Sequence, residues 1–302
     1  MTNSDPGDQF VQREDKAVYE TQEPVLYSVA DGVATLTMNR PDFHNVQNSQ
    51  MTCALDAGFR RAVDDDAVKV IVLRGAGKHF SAGHDIGSPG RDINKPFERQ
   101  TLWWDHTNKP GAEQLFAREQ EVYLGMCRRW HDIPKPTIAM VQGACVAGGL
   151  MLAWVCDLII ASDDAFFQDP VVRMGIPGVE YFAHAHELNP RIAKEFLFLG
   201  DRMKADRAYM MGMVNRVVPR EELEAQTYDI AARIAKQPRM GLALTKTVIN
   251  RVEELQGLRT TMDVAFGYHH FAHAHSQVMG AGQLGGHDAK TMAQANKKDA
   301  KE

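Results

Sequence analysis

Residues 137–157 constrain the fold more than any other stretch of the chain. Pro134 and Pro136 lead into an apolar run, Thr137–Val141. A loop of small residues follows, Gly143–Gly149, and then an apolar stretch from Leu150 to Cys156 closed by Asp157. The first run reads as a strand buried within a sheet and the last as a helix that is apolar on all sides. Such a unit belongs inside an α/β core. The glycines between its two halves let backbone or ligand approach closely.

The flanking sequence builds around this unit. Val25–Ala30 and Val33–Met38 read as strands joined by the Asp31-Gly32 hairpin signal. Ser49–Asp64 reads as an amphipathic helix, with Met51, Leu55 and Phe59 four apart. Val68–Leu73 is another apolar strand. Phe80–Ile86 is a glycine-containing loop, and the segment from Gly87 to about Gly111 is irregular, with Trp103, Trp104, Asp105 and His106. Glu113–His131 is predicted as a helix with Gly125 inside it. Leu158–Ala161 and Ala165–Gln168 are short strands. From Asn189 the pattern is helical, interrupted by Met213–Val218 and Pro219. Strands and helices alternate first and helices dominate later, which is an α/β class with a helical C-terminal region. The expected organisation is an N-terminal extension over 1–24, a core over 25–235, a helical region over 236–287 and a polar tail over 288–302.

Composition excludes several function classes. The 302 residues carry a formal net charge of −5, without the basic surplus of a nucleic-acid binder. The first residues are polar and acidic and hold no apolar targeting core, and no apolar run reaches membrane-spanning length. Four cysteines, Cys53, Cys127, Cys145 and Cys156, form no C-x-x-C pair. Reduced thiols in a cytoplasmic protein are expected.

Two segments carry the chemical signal. The first is His79-Phe80-Ser81-Ala82-Gly83-His84-Asp85-Ile86. The second is Val141-Gln142-Gly143-Ala144-Cys145-Val146-Ala147-Gly148-Gly149, leading into the helix that ends at Cys156-Asp157. Asn39-Arg40-Pro41 precedes them. Gln168-Asp169-Pro170 and Met174-Gly175-Ile176-Pro177-Gly178 follow. In order and spacing these resemble the crotonase (enoyl-CoA hydratase/isomerase) superfamily over roughly residues 25–236. The resemblance implies stacked ββα turns and binding of an acyl-CoA thioester. It also implies an oxyanion hole made by the backbone N–H groups of His84 and Gly148, an arrangement that holds enolate charge without a titrating group. Carbonyls of the loop containing Ala82, His84 and Ile86 would line the adenine of CoA. Family C-terminal helices pack on neighbouring subunits, so a homotrimer or homohexamer is implied. Coenzyme A enters as part of the substrate, with no permanently bound cofactor, and neither nucleic acid nor membrane is an expected partner.

The sequence departs from the hydratase pattern where acid–base chemistry should lie. The resemblance places the two hydratase glutamates at Met151 and Val171, and neither side chain can move a proton. Glu180, two residues past Gly178, is the leading replacement as catalytic base, the alternative being a solvated carboxylate at a helix start. Asp169 is the second candidate, the alternative being a turn residue before Pro170. The histidines at 269, 270, 273 and 275 form a further cluster. His269 and His273 share a helix face, as a metal pair needs, but no acidic motif of known spacing accompanies them. Packing on a neighbouring subunit is expected there, and no metal. Three functions follow: a hydratase or lyase, an isomerase or other thioester enzyme working through Glu180, or a CoA-binding protein without catalysis.

Overall fold

The computed structural model describes residues 23–86, 104–107, 109–280, 291 and 294. Nearly all of the expected N-terminal extension and of the polar tail, and Trp103, lie outside the described residues. The elements run β1 (Val25–Ala30), β2 (Val33–Met38), α1 (Ser49–Asp64), β3 (Val70–Gly75), α2 (Gly111–Glu119) and α3 (Met126–His131), then β4 (Thr137–Val141), β5 (Ala144–Val146), α4 (Gly148–Trp154), β6 (Leu158–Ser162) and β7 (Phe166–Gln168). The C-terminal part contains α5 (His184–Glu187), α6 (Pro190–Leu199), β8 (Met203–Lys204), α7 (Ala205–Met210), β9 (Arg216–Val218), α8 (Leu223–Ala235), α9 (Arg239–Leu255) and α10 (Leu258–Val278).

The larger sheet has the order β1-β2-β3-β4-β6-β9, parallel except for the β1–β2 hairpin. The smaller sheet has the order β5-β7-β8. Two isolated parallel bridges, Gln47 with His84 and Ser81 with Cys145, continue that second layer back through the earlier turns. Each turn of chain therefore contributes to both layers, and the turns stack as a spiral.

Period-two alternation decides what faces what. Val70 and Val72 of β3, with Ile138 and Met140 of β4, pack against Leu223, Ile230 and Ala231 of α8. Their alternates, Ile71, Leu73, Ala139 and Val141, join the main core with Leu55 and Phe59 of α1 and Leu150 and Leu152 of α4. Both faces of the central strands are covered, so a continuous apolar run is required there. Each fully buried aliphatic side chain contributes about 1.5–3 kcal/mol.

Three local differences from the sequence reading have physical causes. Strand β3 begins at Val70 because the Val68 N–H closes a turn on the Asp65 carbonyl (3.0 Å). The small-residue loop contains the short strand β5, paired with β7, a tertiary pairing invisible to local patterning. The single helix expected over Glu113–His131 starts at Gly111 and is interrupted by a π-helical segment, Gln120–Gly125. Within it, a Cβ on Gly125 would lie 2.9 Å from the Gln120 carbonyl oxygen. Among the described residues no helix is long and apolar enough to cross a membrane. None of the four cysteines is bonded to another.

The C-terminal helices are latched to α3 by charge. His131 lies between Asp132 (Nδ1 to Oδ1, 3.3 Å) and Glu253 of α9 (Nε2 to Oε2, 3.2 Å). Burial alone would lower the imidazole pKa, but these two carboxylates outweigh burial and raise it to about 9. A histidine raised above its unfolded value of about 6.5 stabilises fully below that value, and loses the contribution as pH rises through the folded pKa. His131→Gln should therefore destabilise the protein at pH 6, and the difference from the parent should shrink steadily toward pH 9.5. Denaturant unfolding of both proteins across that range checks this; a constant difference would show that His131 contributes packing and not charge.

Candidate active site

The site forms where two successive turns of the spiral touch. The Ser81 hydroxyl donates to the Asn45 carbonyl (2.9 Å) and accepts from the Gly83 N–H (3.2 Å). The Ser81 carbonyl accepts from the Val146 N–H at 3.0 Å. Packing is then so close that side chains are excluded. A Cβ on Gly149 would sit 2.5 Å from the Ser81 carbonyl oxygen, and one on Gly83 would sit 2.8 Å from that of Val146 and 3.0 Å from the Gly148 nitrogen. Gly83 also has φ +96°, a region costly for any side chain. Ala147 accepts φ 48° and ψ −117° in delivering the chain to Gly148. Such strain costs about 1–3 kcal/mol and persists only where the surroundings enforce it. Gly148 opens α4, so its N–H has no carbonyl one turn back to donate to.

The His84 side chain enters the site as well as its backbone. Its ring stacks on Tyr123 with centroids 3.8 Å apart and planes 11° from parallel. It reaches over Gly148, where a Cβ would come within 2.5 Å of His84 Cδ2. The π-helical segment carries Tyr123 to this position, and such segments recur at functional sites.

Glu180 is brought to the same place and is only 3% exposed. Its Oε1 lies 3.7 Å from His84 Nδ1 and 3.8 Å from His269 Nε2. Burial, and then the negative charge of Glu119, push the Glu180 carboxyl well above the usual carboxylate range. Glu119 itself is buried, which would raise it, but the imidazoles of His270, His269 and His273 outweigh burial and bring it down to about 2. Burial lowers His269 to about 4, leaving it neutral near pH 7. Two buried carboxyl groups are thus driven apart, one ionised and the other able to hold a proton, an arrangement suited to proton transfer.

The other sequence candidates separate. Asp169 is fully buried, and both its oxygens are engaged: Oδ1 accepts from the Val171 N–H (3.3 Å), while Oδ2 accepts from the Val179 N–H (3.3 Å) and lies 2.7 Å from His184 Nε2. It therefore pins the loop that carries Glu180. Met151 is fully buried in the main core, and Val171 packs against that core. Ala82 donates its N–H to the His44 carbonyl (2.9 Å), and Ile86 packs against Met174 and Ile176. Trp104 is 62% exposed whereas His106 is buried. His275 is exposed, apart from the buried His269 and His273.

Sequence reasoning missed Glu119, Tyr123 and Arg40. Arg40 is fully buried; its Nη1 donates to Asp85 Oδ2 (3.1 Å) and to the Val46 carbonyl (2.7 Å), tying down the loop that bears His84. Its guanidinium also sits 5.0 Å from the Phe43 ring centroid. The Asn39-Arg40-Pro41 segment was a visible signal, without a visible partner.

The enoyl-CoA hydratase/isomerase family model matches residues 28–285, and the chain belongs to that family. It is 41% identical over 263 residues to EchA13 of Mycobacterium tuberculosis, a protein named for enoyl-CoA hydratase activity, covering 85% of this chain and 82% of that one. It is 31% identical over 256 residues to the 1,2-epoxyphenylacetyl-CoA isomerase of Escherichia coli K12, covering 83% of this chain and 90% of the isomerase. A Mycobacterium smegmatis crystal structure bearing the enoyl-CoA hydratase name superposes with a TM-score of 0.77 at 44% identity, covering 86% of this chain and 98% of that one. The stacked ββα architecture is that of the family.

Removing one partner of a buried ion pair typically costs about 3–5 kcal/mol, because the other charge is left uncompensated. Asp85→Asn is expected to lower unfolding free energy by an amount of that order and to weaken acyl-CoA binding by loosening the His84 loop. Denaturant titration and equilibrium binding check both. Unchanged stability and affinity would mean that the Arg40 contact does not hold the loop.

Proposed function

We propose that this chain is an enolate-forming acyl-CoA enzyme in which Glu180 moves the proton. The observation that carries the reading is the buried Glu180 carboxyl, 3.7 Å from the His84 imidazole that lies over Gly148. The thioester oxygen would be held by the N–H groups of His84 and Gly148, with the nucleotide of CoA along the Ala82–Ile86 loop. Ionised Glu180 takes a proton from carbon, the electron pair moves to the thioester oxygen as the enolate, and the two N–H groups carry that charge. Return of the same proton to a different carbon regenerates the carboxylate and gives an isomer. Met151 and Val171 offer no second acid–base group to activate water, which favours isomerase-type over hydratase-type chemistry. The isomerase relative at 31% identity supports this choice.

The test is kinetic. Glu180→Gln should reduce turnover of a 3-enoyl-CoA by about 10²–10⁴-fold with little change in acyl-CoA binding. Hydration of crotonyl-CoA by the parent should be slow or absent. In the parent, kcat/KM should rise with pH along a limb lying above the usual carboxylate range, because burial and Glu119 hold the Glu180 proton on. Gly148→Val should obstruct binding itself. Near-normal turnover in Glu180→Gln would overturn the assignment of the base, and intact affinity in Gly148→Val would overturn the oxyanion hole.

The chain is further proposed to assemble as a homotrimer or homohexamer, and its four free cysteines suit the reducing cytoplasm. Met240, Leu244, Val248, Val252 and Leu255 of α9 are all exposed, with the first four at spacings of four. An apolar helix stripe of this kind marks an interface. Light scattering after gel filtration should give a multiple of three chains for the parent, falling in Leu244→Asp/Val248→Asp. A single-chain mass for the parent would refute the proposal.

A further inference from the structure

Helix α10 buries Leu258, Met262 and Phe266 along one stripe, and the same stripe continues as His269 and His273. Histidine at two successive core positions, each over nine-tenths buried, needs a partner of matching chemistry. That partner is Glu119 at the end of α2. Its Oε2 lies 3.5 Å from His269 Nε2, and His269 Nε2 lies 3.1 Å from His273 Nε2. One ligand atom from each of the three residues falls within 4.8 Å of the others.

Hydrogen bonding makes this an acceptor-rich pocket. His269 Nδ1 is 3.0 Å from the Gly178 carbonyl oxygen, which can only accept, so Nδ1 carries the proton. Nε2 of the neutral ring then presents a lone pair toward the cluster. The Glu119 carboxylate presents lone pairs to the same space, and its Oε2 also lies 3.2 Å from His270 Nε2. Lone pairs facing each other across this distance call for a cation between them. A backbone carbonyl on the far nitrogen of an imidazole is also the usual device that orients a metal-bound histidine. Tetrahedral coordination at about 2.0–2.1 Å separates neighbouring donor atoms by roughly 3.3 Å. The two separations above bracket that value.

We infer that Glu119, His269 and His273 form a binding site for a divalent transition-metal ion of the zinc type. Two imidazoles and one carboxylate suit such an ion better than magnesium or calcium, which prefer oxygen donors. The site joins α2 to α10, with His269 Nε2 3.8 Å from Glu180 Oε1. The inference rests on this donor geometry alone and stands whether or not Glu180 is the catalytic base. It departs from the sequence expectation of no metal because the third ligand comes from 150 residues earlier in the chain.

The full-length protein, stripped with a chelator and dialysed, should take up one zinc ion per chain in equilibrium dialysis and melt at a higher temperature with zinc than without. Glu119→Gln and His273→Gln should each weaken zinc binding at least tenfold, and exposed His275→Gln should not. Because a buried substitution can impair folding, cobalt titration of the unaltered protein provides the second measurement. Intense visible absorption typical of four-coordinate cobalt, saturating at one equivalent and displaced by zinc, supports the site. Less than about 0.2 zinc per chain, weak octahedral cobalt bands only, or zinc binding lost in His275→Gln but retained in His273→Gln, would overturn it.

Discussion

The structure depends on the contact between successive turns at Gly83, Gly148 and Gly149. The Ser81 carbonyl comes so near Gly149 that a methyl group there would overlap it, and one on Gly83 would crowd the Val146 carbonyl and the Gly148 nitrogen. That approach is what lets one turn deliver the His84 backbone and the next deliver the start of α4 to a shared point. Close-packed interiors leave little room to relax such an overlap. The strained Ala147 backbone and the buried Arg40–Asp85 pair are consequences: both keep the loops pressed together. The larger sheet, covered on one face by α8 and on the other by the main core, is the rigid support from which both loops project.

Around that point the electrostatics are set by tertiary neighbours. Glu180 and Glu119 are both buried carboxyl groups, yet they are driven in opposite directions. Contact with the α10 imidazoles, His270 foremost, keeps Glu119 in its ionised form, and the resulting charge adds to burial in keeping the proton on Glu180. His184 and Asp169 fix the loop before Glu180, and the Gly178 carbonyl ties the same loop to His269. The C-terminal helix is therefore part of the site's wall within a single chain, while α9 keeps an apolar face turned outward.

Much of the fold was legible in the residues. The β1–β2 hairpin follows from Asp31-Gly32, α1 from apolar positions four apart, and β4 and α4 from uninterrupted apolar runs. Local pattern failed where a pairing partner lay elsewhere. Strand β5 exists because β7 pairs with it, and the π-helical segment lies in a stretch whose composition is that of an ordinary helix. Asp169 reads from the sequence as a base or, slightly better, as a turn residue; its 2.7 Å contact with His184 and its two backbone donors are set by tertiary neighbours.

The sequence by itself determined the family, the alternation of strands and helices, and the two glycine-bearing loops, because each depends on residues close together in the chain: apolar period, backbone freedom and motif spacing. It also determined what is absent, since Met151 and Val171 are apolar in any conformation. Only the tertiary structure decided which carboxyl groups are brought together and what surrounds them. Glu119 and His269 are 150 residues apart in the chain but have polar atoms 3.5 Å apart in space. A carboxyl pKa, a donor set for a cation and the occupation of Asp169 are properties of distance and burial, and distances of that kind are fixed only when the turns stack and α10 folds back onto α2.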